Sequence, residues 1–334
     1  MPIPARLANL RLPLVAAPMF IASGPDLVVE TCRAGVVGTF PSLNGRTTAQ
    51  FVDWLAEISA RLLPCPGAAP FGVNLIVHRS NTRLDQDLAA VVAHRVPLVI
   101  TSLGAVSEIV QAVQSYGGLV FHDVINLQHA VKAAEAGVDG IVAVSAGAGG
   151  HAGTLHPFAL VQEIRTVFDG TILMSGAIST GAQIAAARMA GADLAYAGTR
   201  FIATKEAAAP DAHKAMIMDA RASDIIYTQA ISGVNANFLR PSIAAAGLNP
   251  DALPQWEGGH RAHEDRPKAW KNIWSAGQGV AACRDIPAVA ELCDTLAREY
   301  EAAIAAMAAD PFRNRQSPCP SHDTRVQTAV GSQA

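Results

Sequence analysis

The chain has 334 residues, half of them hydrophobic and only 16% charged, with a formal net charge of −3. That supports a large buried core, as two ordinary domains or as one α/β barrel with additions. It excludes an electrostatic grip on nucleic acid, since no Lys/Arg cluster offsets the slight negative charge.

The five cysteines are scattered without CxxC spacing, which argues against a zinc site or redox dithiol. The N-terminus, broken by Pro2, Pro4, Arg6 and Arg11, makes a poor signal peptide. No run of about 18 uncharged apolar residues reads as a membrane span. A cytoplasmic protein without membrane or nucleic-acid partners is expected.

Eight short, uniformly apolar runs follow along the chain. They are "LVAAPM" (14–19), "VVGTF" (36–40), "FGVNLIV" (71–77), "VPLVITS" (96–102), "GLVFHD" (118–123), "GIVAVS" (140–145), "TILMSG" (171–176) and "LAYAGT" (194–199). Strands buried on both faces look like this. Alanine-rich amphipathic segments such as "LQHAVKAAEAGV" and "GAQIAAARMAGA" lie between them and close near glycine, as helices often do. Eight strand–helix units predict an α/β fold of the closed (β/α)8 TIM-barrel type. A doubly wound open sheet is the rival, but no GxGxxG follows the first strand.

From residue 206 the pattern changes. Residues 206–270 read as an inserted, largely helical lid or substrate segment near the C-terminus. The barrel then comprises 1–205 and 271–309, closed by a helix over 287–308. Residues 310–334 are polar and Pro-rich, which predicts a disordered tail.

In such a barrel the active site lies at the C-terminal ends of the strands. There "SAGAGGHAG" (145–153) surrounds one imidazole, His151, with very small residues. An imidazole titrates near neutrality and suits general-base work. A loop histidine that merely caps a turn is the plainer alternative. "SGAIST" (175–180) and "AGTRF" (197–201) place Gly and hydroxyl residues where barrels commonly bind phosphate. Asn74 interrupts an apolar strand and either bonds neighbouring backbone or reads the polar edge of a ring system. Arg200 pairs with phosphate or with a carboxylate, and Tyr227, Trp270 and Trp274 either roof the site or pack.

With these motifs in hand, the chain resembles the nitronate monooxygenase (2-nitropropane dioxygenase) family. The resemblance rests on "APMF", "PFGVNL", "AGGHAG", "MSGAIST", "AGTRF" and "IWSAGQG", in order across residues 14–280. It implies an FMN-binding TIM barrel. Pro18, Met19, Asn74 and Gly150 would lie beside the flavin, and Ser175, Gly176, Gly198 and Thr199 would hold its phosphate. Ser275, Gly277 and Gln278 would close over it, with His151 as the catalytic residue and no metal. The chain departs from many relatives in having "AAPM" (16–19) at strand one, and in having His122 and Asp123 where relatives often carry a basic residue.

The activity so implied is oxidation of an alkyl nitronate or nitroalkane with O2 to a carbonyl compound and nitrite, a detoxification. A homodimer is an admissible assembly. The alternative is an NAD(P)H-dependent flavin reductase, acting on quinones or enoyl thioesters, in the same superfamily. A Schiff-base aldolase is disfavoured because Lys132, Lys205, Lys214, Lys268 and Lys271 miss the predicted inner strand ends.

Overall fold

The computed structural model describes residues 3–253 and 269–312. Eight parallel strands close into a barrel. They are β1 (Leu14–Ala16), β2 (Val37–Pro41), β3 (Gly72–Ile76), β4 (Leu98–Ser102), β5 (Leu119–Val124), β6 (Gly140–Val144), β8 (Thr171–Ser175) and β9 (Leu194–Ala197). Closure is direct, with Leu14, Val15 and Ala16 of β1 opposite Ala195, Tyr196 and Ala197 of β9. The remaining strand in this stretch, β7 (Gly150–His151), lies outside the barrel.

The unbroken apolar runs follow from a core on both sides of each strand. Val15, Val37, Leu98, Ile100, Phe121, Val142, Leu173 and Leu194 fill the barrel interior. Their neighbours Leu14, Ala16, Val99, Ile141, Ile172 and Ala195 pack outward against the helices. Two of those helices start on side-chain caps supplied by polar residues at their N-termini. Asn126 accepts from the His129 N–H, and Thr180 with Gln183 forms a reciprocal capping box.

Residues 206–253 carry helices at Asp211–Asp219 and Arg240–Ala245. They also carry two strands that periodicity did not reveal, β10 (Ile225–Thr228) and β11 (Ala236–Leu239). These pair antiparallel with each other, and β11 pairs in turn with β7, setting Ala236 opposite His151 and Asn237 opposite Gly150. The later segment is thereby stitched to the loop after β6 at the barrel mouth. The rest of the expected lid, 254–268, lies outside the described residues, as does most of the expected disordered tail.

The C-terminal helix, Val289–Ala308, lies against the helix Gly181–Met189, where the Gly181 N–H donates to Glu299 Oε2 at 2.7 Å. No described helix is long and apolar enough to cross a membrane.

Candidate active site

A cavity of about 690 Å³ opens at the C-terminal ends of the strands. It lies within the roughly 300–1,000 Å³ typical of small-molecule and cofactor sites. Pro18 and Met19 follow β1 into its wall, Asn74 enters from β3, and Ser175, Gly198 and Thr199 come from the ends of β8 and β9. Gly150, His151 and Ser275 complete the set of sequence-predicted residues that line it. Gly176, Gly277 and Gln278 are not among the lining residues. Gly277 donates its N–H to Thr199 Oγ1 at 2.8 Å, and Gln278 donates its own to Gly147 O at 2.8 Å, so both brace the wall from behind.

The small residues around His151 serve close backbone approach as well as open space. A Cβ on Gly149 would sit 2.9 Å from the Gly277 N, and Gly150 adopts φ +71°. The loop is then tied down by polar contacts. The Gly150 N–H donates to Ser275 Oγ at 2.6 Å, and that hydroxyl donates to Asn237 O at 2.7 Å. The buried Asn237 amide donates to Ala148 O at 2.6 Å, and Tyr227 donates its hydroxyl to Ala152 O at 2.9 Å.

The His151 ring itself meets Trp270 edge-on, with centroids 5.2 Å apart. Trp270 also touches Phe20 and Phe238, making an aromatic roof. Burial pushes His151 below its ordinary value of 6.5, so the imidazole is neutral at pH 7. Neutral imidazole is the form that accepts a proton.

A second polar line crosses the mouth. Asn74 Nδ2 donates to Ile100 O at 3.0 Å and to Ser102 Oγ at 2.8 Å, and Ser102 donates to Asp123 Oδ2 at 2.6 Å. Asn74 therefore bonds neighbouring groups while also facing the cavity. The other Asp123 oxygen, Oδ1, is enclosed without a partner. Burial raises the Asp123 carboxyl to about 6, against the opposing hydrogen bond from Ser102. His122, bonded to Thr101 Oγ1 at 2.8 Å, is driven by burial down to about 4.

The dimensions fit a flavin on three counts. The cavity is large enough, the wall beneath it is built from small residues (Ala17, Ala148, Gly149, Gly198), and the orphaned Asp123 Oδ1 is a polar atom awaiting a partner.

The nitronate monooxygenase family model matches residues 78–299. The chain belongs to that family. A nitronate monooxygenase of Paraburkholderia phytofirmans is 25% identical, covering 89% of this chain and 94% of its own. One of Pseudomonas aeruginosa is 26% identical, over 88% and 97%. Among solved structures, a nitroalkane oxidase from Streptomyces ansochromogenes superposes with a TM-score of 0.72 at 25% identity, covering 91% of this chain and all of that one. FabK from Thermotoga maritima shares the fold, with a TM-score of 0.75 at 20% identity over 91% and 97%. As a nitronate monooxygenase family member the protein is an enzyme, an oxidoreductase of a flavin-dependent kind.

Some wall residues of this family member carried no sequence signal. His213 is buried at the cavity edge, donating from Nε2 to Ser275 O at 3.1 Å and stacked on Trp274 at 5.2 Å. In sequence it is one histidine in an ordinary amphipathic helix. Lys132 reaches the cavity from the helix Leu127–Glu135 rather than from a strand end. Arg200 turns away to Asp285 at 2.5 Å, so the carboxylate alternative holds.

Proposed function

We propose that the protein binds FMN in this cavity and oxidises an alkyl nitronate, or its parent nitroalkane, with O2 to a carbonyl compound and nitrite. The observation that carries this is His151, roofed by Trp270 and facing a cavity that fits a flavin, with burial favouring its neutral ring. Pro18, Met19, Asn74 and Gly150 would lie along the flavin, with Ser175, Gly198 and Thr199 around its phosphate, while Gly176, at φ +118° and packed towards Ala146, shapes the turn behind them. Ser275, Gly277 and Gln278 would close the wall. The Ser275 hydroxyl is already engaged by Gly150 and Asn237, so Ser275 contributes by shaping the loop. When bound, FMN supplies the electron transfer between the substrate carbon and O2.

The chain's own residues handle the proton. The α-carbon of a nitroalkane is an activated acid, and His151 removes that proton as general base. The imidazolium so formed then stands beside the nitronate anion and pairs with it. A nitronate supplied ready-made meets the same ring but needs it protonated. The two substrates therefore place opposite demands on one group. Trp270, Phe20 and the β7–β11 pairing cover the His151 side of the cavity, where a bound substrate would be shielded from part of the solvent. We read 206–270 as a lid segment, from which Phe238 and Trp270 contribute to this roof.

Anaerobic mixing of the purified yellow protein with ethyl nitronate, and separately with NADH and NADPH, tests the reading. Bleaching by the nitronate alone is expected. Rapid bleaching by a nicotinamide, with none by the nitronate, would overturn it in favour of a reductase.

A further inference from the structure

Resting on that reading for the reacting end, we propose that the physiological substrate is an alkyl nitronate, or its parent nitroalkane, with an extended hydrocarbon chain and no second charged group, held by an apolar rim around the cavity mouth.

Ile21, Leu103, Ile125, Tyr227 and Val234 all line the cavity, yet each is 37–53% exposed. Single exposed apolar side chains need no explanation, but five around one opening form a patch of the kind that marks a ligand groove. The backbone adds an independent sign. Among the described residues five non-glycine residues have positive φ, and three of them are Ile21 at +67°, Leu103 at +69° and Trp270 at +60°. A β-branched residue in that region is a genuine outlier, and glycine would sit there without strain. The Ile21 turn is nonetheless enforced. Asn44 Oδ1 accepts from the Ile21 N–H at 3.0 Å, while its Nδ2 donates to Met19 O and Ser23 O at 3.0 and 2.8 Å. Large apolar side chains are thus kept in costly conformations where they overhang the opening, as strain at ligand sites tends to be.

Charge points the same way. Lys132 is the one Lys or Arg lining the cavity among the described residues, and Asp123 the one Asp or Glu. A short nitronate that also carries a carboxylate would bring two negative charges to a wall whose described residues offer Lys132 as the one Lys or Arg. A hydrocarbon tail loses nothing there and gains by leaving water.

Two measurements on the FMN-loaded protein test this. In calorimetric titrations with butyrate, hexanoate, octanoate and decanoate, the carboxylate stands in for the nitronate head. The Kd should fall about fourfold per methylene at least as far as octanoate. The kcat/KM for preformed nitronates of nitroethane, nitrobutane and nitrohexane should rise by a similar factor. In Ile21→Asn and Leu103→Asn the slope against chain length should flatten. Their melting temperatures should not fall, because Asn tolerates the left-handed backbone.

A Kd and kcat/KM independent of chain length would overturn the inference while leaving nitronate oxidation intact. Tight binding of long carboxylates with no nitronate turnover would overturn the reaction instead and keep the apolar rim.

Discussion

His151 reaches its role through where it is buried. Burial favours the uncharged ring, so the proton-accepting form dominates down to a pH below the ordinary imidazole value. Turnover of a neutral nitroalkane should accordingly hold steady at neutral pH and decline only on acidification below about 6.5. Turnover of a preformed nitronate, which needs the imidazolium, should decline in the opposite direction as pH rises. His151→Asn should retain flavin by its visible spectrum but lose about 10²–10⁴-fold on nitroalkanes, the usual worth of a general base. Unchanged nitroalkane kinetics would remove His151 from the proton transfer.

Asp123 carries the complementary prediction. Its folded-state pKa is raised from 3.8 to about 6, so the protonated form is the one that folding favours. Its contribution to stability is full below 3.8 and is lost as pH rises through 6, a difference of at most ~3 kcal/mol at pH 8. Asp123→Asn keeps an acceptor for Ser102 without a charge. Thermal unfolding should show the variant more stable than the parent at pH 8 and the advantage shrinking towards pH 4.

At the scale of elements, the pairing of β7 with β11 decides where His151 points. Two residues cannot make a strand by themselves. They become one because β11 supplies backbone partners and Asn237 adds a side-chain clamp on Ala148. In Asn237→Ala the buried Ala148 carbonyl loses its donor, which costs about 1–3 kcal/mol. The expected result is a lower urea midpoint together with a depressed kcat and nearly normal flavin content. Equal loss of flavin and kcat would show instead that the clamp holds the whole pocket.

For the whole molecule, the barrel and the C-terminal helix form one unit through Gly181. A Cβ there would lie 2.1 Å from Leu296 O and 2.3 Å from Tyr300 N, both backbone atoms that cannot swing aside. Gly181→Ala must force the two helices apart, an overpacking cost of about 1–3 kcal/mol. Because the same helix begins beside the Ser175–Thr180 loop, flavin affinity should weaken along with the urea midpoint. A variant that matched the parent in both would show the contact to be pliable.

The sequence by itself determined the barrel. A parallel strand covered on both faces must be apolar at nearly every position, so each of the eight strands left a continuous run that needs no partner to be recognised. It also determined that His151, Asn74, Ser175 and Thr199 share a rim, because every strand of such a barrel ends at the same face. What only the tertiary structure decided lies in contacts between distant segments: β11 against β7, Trp270 against His151, His213 under Ser275 and Lys132 at the opening. Each of these depends on a residue type that is ordinary in its own local pattern. Its meaning comes from the chain folding back on itself, and no local periodicity records that.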